Sequence, residues 1–235
     1  MNKRRSLGQH FLISNSIAKS IVNFADITKN DIVLEVGTGR GILIPHLCEK
    51  AKKVISVEKD RELHLQAEEK FSSIQNLVLE WGDAFKMDHK FTIFVSNLPY
   101  SESRKAIEWL VQRRFSHGVI MVQKEFAQKL VGEKDSRDIR AISVLASYCM
   151  EIRNLMSVTK SNFSPPPQVD SVVIHLTQKH QISGNVVRAV NKLFSFKRKT
   201  LRNIGKQLGK VIDSDDRLED LPNGEIIEIA KRISK

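Results

Sequence analysis

Three glycines at alternate positions, Gly37, Gly39 and Gly41, stand between residues 31–36, which read as a buried strand, and a helical pattern carrying Ile42, Leu43, His46 and Leu47. Glycine lets a chain leave a strand in a sharp turn, and lets a ligand approach the N-terminus of the following helix closely. Strand, ligand turn and helix in that order open an α/β sheet of the doubly wound kind. The dinucleotide fingerprint wants its third glycine one residue later, where this chain has Ile42.

The alternation continues at short spacing. Residues 53–57 read as a second strand closed by Glu58, and residues 60–71 as a helix on the spacing of Leu63, Ala67 and Phe71. Residues 77–79, 92–95 and 119–122 supply three more strands, with helices at 102–113 and 126–131. Such a pattern implies a parallel sheet covered on both faces. Ahead of it, residues 1–12 form a basic arm, and Ser14 or Asn15 caps an amphipathic helix on Ile17, Ile21, Val22 and Phe24. Beyond a polar loop at 132–138, residues 139–150 resume a helical pattern. Residues 152–158 and 169–176 then read as two further strands, separated by Ser161-Asn162-Phe163-Ser164-Pro165-Pro166-Pro167. Three successive prolines demand a stiff extended segment there. From about residue 178 the chain turns helical and basic, which divides it into residues 1–177 and a small helical domain at 178–235.

The formal net charge is +11, and residues 188–210 hold eight Lys or Arg and no Asp or Glu. A polyanion is the partner such a balance suits. Arg198, Arg202, Lys206 and Lys210 recur every four residues as one helix face, backed by Leu193, Phe194, Leu201, Ile204, Leu208 and Val211. No apolar run approaches the roughly 20 residues that span a bilayer, and Gly8-Gln9-His10 breaks the start where a signal peptide would be apolar. A cytoplasmic protein is the expectation. Cys48 and Cys149 lack ligand-like neighbours and read as buried free thiols, with no metal site.

The strand ends carry the chemistry. GxGxG suits a methyl-donor nucleoside such as S-adenosylmethionine, which has no phosphate. Glu58 is placed to accept ribose hydroxyls, and Asp83 to accept the amine of the donor's adenine, although Asp60 and Asp83 also have the neighbours of helix caps. The fourth strand runs into Asn97-Leu98-Pro99-Tyr100, where Pro99 stops it in an extended turn. An amide oxygen and a carbonyl accept an amino group, and an aromatic ring stacks on a flat base. The turn therefore suits a planar amine.

With these residues in view, the sequence resembles the KsgA-type small-subunit ribosomal RNA adenine dimethyltransferases over nearly its whole length. The resemblance runs through Gly8-Gln9-His10-Phe11-Leu12, Glu35-Val36-Gly37-Thr38-Gly39-Arg40-Gly41, Val57-Glu58-Lys59-Asp60, Gly82-Asp83-Ala84 and Asn97-Leu98-Pro99-Tyr100. It is completed by Val122-Gln123-Lys124-Glu125, Phe163 to Ser171 and Arg198-Lys199-Thr200-Leu201-Arg202-Asn203. It implies a Rossmann-like class I methyltransferase sheet with a small helical C-terminal domain, in a form shorter than the bacterial one, as in archaea. By the same resemblance His10, Leu12, Gly37, Gly39, Glu58, Asp83 and Asn97 bind S-adenosylmethionine. The implied reaction places two methyl groups on each of two adjacent adenosines in a hairpin loop near the 3′ end of small-subunit ribosomal RNA. A pre-subunit particle is the implied partner, and the protein acts as a monomer without membrane or metal. The catalytic set is Asn97, Leu98, Pro99, Tyr100 and Phe163, with the two aromatic rings sandwiching a flipped base.

The chain departs from the family where His10 replaces a frequent Asn. It departs again where Ser101-Glu102-Ser103 follows the turn with Arg104 and Lys105 beyond, and where Asp138-Ile139 precedes Arg140. The competing readings are a large-subunit ribosomal RNA adenine methyltransferase of the resistance type and a non-catalytic transcription or assembly factor on the same fold. Ile42 and the amine-holding turn disfavour a nicotinamide dehydrogenase.

Overall fold

The computed structural model describes residues 9–131 and 139–234. The first eight residues of the basic arm, the loop at 132–138 with Asp138, and Lys235 lie outside the described residues. In chain order the elements are β1 (Phe11–Leu12), α1 (Asn15–Phe24), β2 (Ile32–Val36), α2 (Ile44–Lys50), β3 (Lys53–Glu58), α3 (Arg61–Phe71), β4 (Leu77–Trp81) and β5 (Ile93–Ser96). Then come α4 (Ser103–Leu110), β6 (His117–Gln123), α5 (Lys124–Val131), α6 (Ala141–Cys149), β7 (Met150–Val158), β8 (Phe163–Ser164), β9 (Ser171–Gln178), α7 (Gly184–Phe194), α8 (Leu201–Leu208) and α9 (Asn223–Ile233).

Seven strands form one sheet in the order β4-β3-β2-β5-β6-β9-β7. Those from β4 to β6 are mutually parallel, and β9 runs antiparallel to both neighbours. The parallel part follows from helical crossovers. Between β7 and β9 the proline segment offers no crossover helix, so the second strand returns antiparallel. The two faces of the sheet bury alternate residues of each strand: Phe94 of β5 joins one apolar cluster, whereas Ile93 and Val95 join the other. Cys48 and Cys149 are buried free thiols within these clusters.

Helices α7 and α9 pack on each other and on α6, and their Val190, Leu193, Ile226 and Ile227 share a continuous cluster with Leu34 and Phe94 of the sheet. The basic stripe is corrected here. Helix α8 ends at Leu208 because Gly209 takes a left-handed conformation at φ +64°. Arg198 precedes the helix and Lys210 follows it, so of the four cations only Arg202 and Lys206 lie on it. The expected apolar backing also divides. Leu193 and Phe194 belong to α7, Leu201 and Ile204 are buried, and Val211 is 97% exposed.

Candidate active site

The carboxyl ends of β2, β3, β4 and β5 meet the N-terminal strap around a single cavity of about 440 Å³, a volume suited to a small organic ligand. His10, Leu12, Gly37, Gly39, Glu58, Asp83, Asn97, Leu98 and Pro99 all line it. Gly37, Gly39 and Gly41 adopt φ of +83°, +55° and +71°, a region that favours glycine. At Gly41 a Cβ would also fall 2.2 Å from the Phe71 ring, so this position is closed to any side chain.

Glu58 holds the turn. Its Oε2 accepts from the Gly39 N–H at 2.8 Å and its Oε1 from the Asp60 N–H at 2.8 Å, and the side chain is 5% exposed. Asp60 in turn caps α3 through the Glu62 N–H. On the adjacent strand Glu35 is 1% exposed, and among the described residues its side chain's one hydrogen bond comes from the Ser56 hydroxyl at 2.6 Å, which also contacts Thr38 Oγ1. Burial pushes the Glu35 carboxyl up to about 8; the Ser56 bond opposes this and the charge of Glu58 adds to it.

This has a sign for stability. Above the ordinary value of 4.5 the unfolded chain loses the Glu35 proton while the folded chain keeps it. The folded state then binds more protons, so stability falls as pH rises from about 4.5 towards 8 and levels off beyond. Glu35→Gln should remove that slope. The variant is expected to gain on the parent protein by up to about 4 kcal/mol between pH 4.5 and 8, read from urea unfolding curves.

Asp83 is committed as both a cap and an ion pair. Its Oδ1 accepts from the Phe85 N–H at 3.1 Å, and its Oδ2 lies 2.9 Å from Lys105 Nζ. Asn97 follows β5 directly, is half-buried, and makes no side-chain hydrogen bond among the described residues. Its backbone and the rings and methyls of Leu98 and Pro99 lie against Gly37, where an added Cβ would meet them at 3.8–4.0 Å. The acceptor turn and the glycine turn are therefore in van der Waals reach of one another.

Tyr100 lies just beyond the cavity, with its hydroxyl 2.6 Å from Ser171 Oγ. Phe163, expected as the second stacking wall, is 3% exposed and packs in the core with Leu12, its partner across the β1–β8 ladder. The ring that stacks on Tyr100 is instead His10, with centroids 5.9 Å apart and planes at 28°. His10 Nδ1 donates to the Pro165 carbonyl at 2.9 Å, which ties the strap to the proline segment.

Sequence reasoning passed over two contributors and the partner of a third. Gln9 lines the cavity with a buried Oε1 that has no partner among the described residues. Phe11 covers Gly39 and carries the Arg40 guanidinium 4.7 Å above its ring. Lys105 reaches Asp83. Gln9 and Phe11 lie inside a motif already quoted, whereas the Lys105 pairing spans 22 residues and is visible only in three dimensions.

The donor set fits a nucleoside carrying a methionine tail: an orphaned acceptor in Gln9, a glycine cradle, and carboxylates on two strand ends. Among the described residues no group of three or more His, Cys, Asp or Glu is placed to hold a metal, and no helix is long and apolar enough to cross a membrane. The chain matches the profile of the ribosomal RNA adenine dimethylase family over residues 1–235. A ribosomal RNA small subunit methyltransferase A from Thermotoga neapolitana is 35% identical over 96% of this chain and 90% of its own. A probable protein of the same name from Methanococcus maripaludis is 34% identical over 93% and 84%. Bacterial and archaeal relatives thus match about equally well. Among solved structures, a dimethyladenosine transferase from Plasmodium falciparum superposes with a TM-score of 0.78 at 26% identity, covering 94% of this chain and 96% of that one. The 23S rRNA methyltransferase ErmE shares the fold with a TM-score of 0.67 at 21% identity, over 96% and 100%. Class I methyltransferase fold, a cavity at the glycine turn and whole-length match agree, and the chain belongs to the ribosomal RNA adenine dimethylase family.

Proposed function

We propose that this protein uses S-adenosylmethionine to dimethylate the exocyclic amines of two adjacent adenosines in a hairpin loop near the 3′ end of small-subunit ribosomal RNA. The observation that carries the reading is Asn97. It lines the cavity, its backbone carbonyl lies beside the glycine turn at Gly37, and its side-chain amide makes no hydrogen bond among the described residues. Bound S-adenosylmethionine supplies an electrophilic methyl group on a sulfonium whose departure needs no acid. Gly37 and Gly39 would admit it, Glu58 would accept from its ribose hydroxyls, Asp83 from its adenine amine, and the Gln9 amide oxygen from its polar tail.

Asn97 Oδ1 and the Leu98 carbonyl accept the two hydrogens of the target amine. The base nitrogen's lone pair, otherwise delocalised into the ring, is thereby turned towards the methyl group. Orientation of this kind contributes several kcal/mol to catalysis. Tyr100 supplies a stacking face for the flipped base, and His10 must yield part of that face to it. No general base is required, because the product ammonium loses its proton readily to water.

RNA phosphates are met by the C-terminal cations. Arg198, Lys206 and Lys210 are exposed and make no ion pair among the described residues, whereas Arg202 already pairs with Asp213 at 3.0 Å and Asp215 at 3.2 Å. Reversing Arg198 and Lys206 to Glu should therefore weaken RNA binding about tenfold or more and flatten its salt dependence, while affinity for the donor stays unchanged. Filter binding across a salt series reads both quantities. In this reading the protein acts in the cytoplasm as a monomer on a pre-subunit particle.

The decisive experiment incubates the protein with labelled donor and separated ribosomal subunits, then maps the labelled base. Dimethyladenosine confined to small-subunit RNA is expected. Label confined to large-subunit RNA would favour the resistance-type reading, and no transfer at all the non-catalytic one.

A further inference from the structure

The carboxylate assigned to the adenine amine enters the cavity with its outer oxygen already taken. Lys105 Nζ lies 2.9 Å from Asp83 Oδ2, 3.8 Å from Glu102 Oε2 and 4.9 Å above the centroid of the Phe85 ring. Asp83, Phe85 and Glu102 all line the cavity. Burial alone would raise the Asp83 carboxyl. The Lys105 and Phe85 hydrogen bonds and the charges of Lys105 and Lys59 outweigh it and hold that carboxyl below the ordinary range. Lys105 sits on the first turn of α4, the helix that leaves the Asn97–Tyr100 turn, and its side chain is 44% exposed. An ammonium on a flexible four-carbon stem can change partners without moving the backbone.

An ammonium and an adenine amine are both N–H donors in search of the same oxygen. Glu102 gives the displaced ammonium a second carboxylate within reach. We propose that Lys105 is a specificity-determining residue of the donor pocket, whose ammonium stands at Asp83 in place of the adenine amine and passes to Glu102 when that amine binds. The proposal rests on the assignment of Asp83 to the adenine amine. It carries a chemical corollary. A purine with a keto oxygen in place of the amine offers an acceptor, so it is held by the Lys105 ammonium left in place. Lys105 therefore narrows the difference in affinity between adenine and hypoxanthine ligands.

The test is calorimetric titration of the full chain with S-adenosylhomocysteine and with S-inosylhomocysteine. Exposed or half-exposed ion pairs are weak, so the effects are modest. Lys105→Met should bind the adenine compound roughly two- to fivefold more tightly and the inosine compound more weakly. Glu102→Gln should weaken the adenine compound by a similar factor when Lys105 is present and leave it unchanged in the Lys105→Met background. Lys105→Leu, which keeps part of the stem and carries no N–H donor, should behave as Met does and replaces it if that variant folds poorly. Unchanged or weaker binding of the adenine compound by both Lys105 variants, with preference for adenine retained, would overturn the proposal alone. So would an equal effect of Glu102→Gln in both backgrounds. Equal affinity for the two compounds in the parent protein and in Lys105→Met would overturn the Asp83 assignment, and the proposal with it.

Discussion

Asn97→Ala is expected to lower methyl transfer by roughly 10²–10³-fold, the range seen when one positioned hydrogen-bonding group is removed from a reacting centre. The effect belongs to chemistry rather than to folding. The Asn97 side chain makes no hydrogen bond among the described residues, so its loss orphans no buried partner. The turn itself is held by the buried Leu98 side chain and by Pro99. The urea midpoint should therefore stay where it is, and S-adenosylhomocysteine should bind within a few-fold of the parent protein. Single-turnover transfer from labelled donor, with calorimetric binding measured on the same preparation, separates the two quantities. Near-normal transfer would remove Asn97 from the proposed mechanism.

Much of the sheet was legible because buried parallel strands and amphipathic helices announce themselves by period. Ser14 and Asp60 cap their helices as read, and Glu58, Asp83 and Asn97 fall at successive strand ends around one cavity. Where the reading failed, a local pattern was outvoted by tertiary structure. The spacing of Arg198, Arg202, Lys206 and Lys210 is helical on paper, but Gly209 stops the helix, and the carbonyl of Lys210 folds back against Gly205, where an added Cβ would fall 2.6 Å from it. Phe163 sits in a motif read as a stacking wall, and its pairing with Leu12, some 150 residues away, which no local pattern announces, seats it in the core. Lys105 was visible as an added charge. Its partner was not, because nothing in a linear sequence joins α4 to the end of β4.

The same substitution at two neighbouring carboxyls should have opposite results. Burial pushes the Glu35 carboxyl up to about 8 and its side chain accepts a single bond among the described residues, so an amide replaces it with little loss. Glu58 accepts from two backbone N–H groups, one on each oxygen. In Glu58→Gln the NH₂ must face either Gly39 or Asp60, donor against donor, and one of those N–H groups is left unsatisfied in a side chain's shelter that is 5% exposed. The ribose proposed to bind there loses an acceptor as well. Donor affinity, read as S-adenosylhomocysteine binding by calorimetry, should fall roughly 10²–10³-fold in Glu58→Ala, from about 3–4 kcal/mol of lost charge-assisted bonds and a loosened glycine turn. Glu58→Gln should recover only a small part of that loss. If it binds within twofold of the parent protein, Glu58 acts as a neutral spacer, and the link from β3 through the Gly39 N–H to the ligand does not operate.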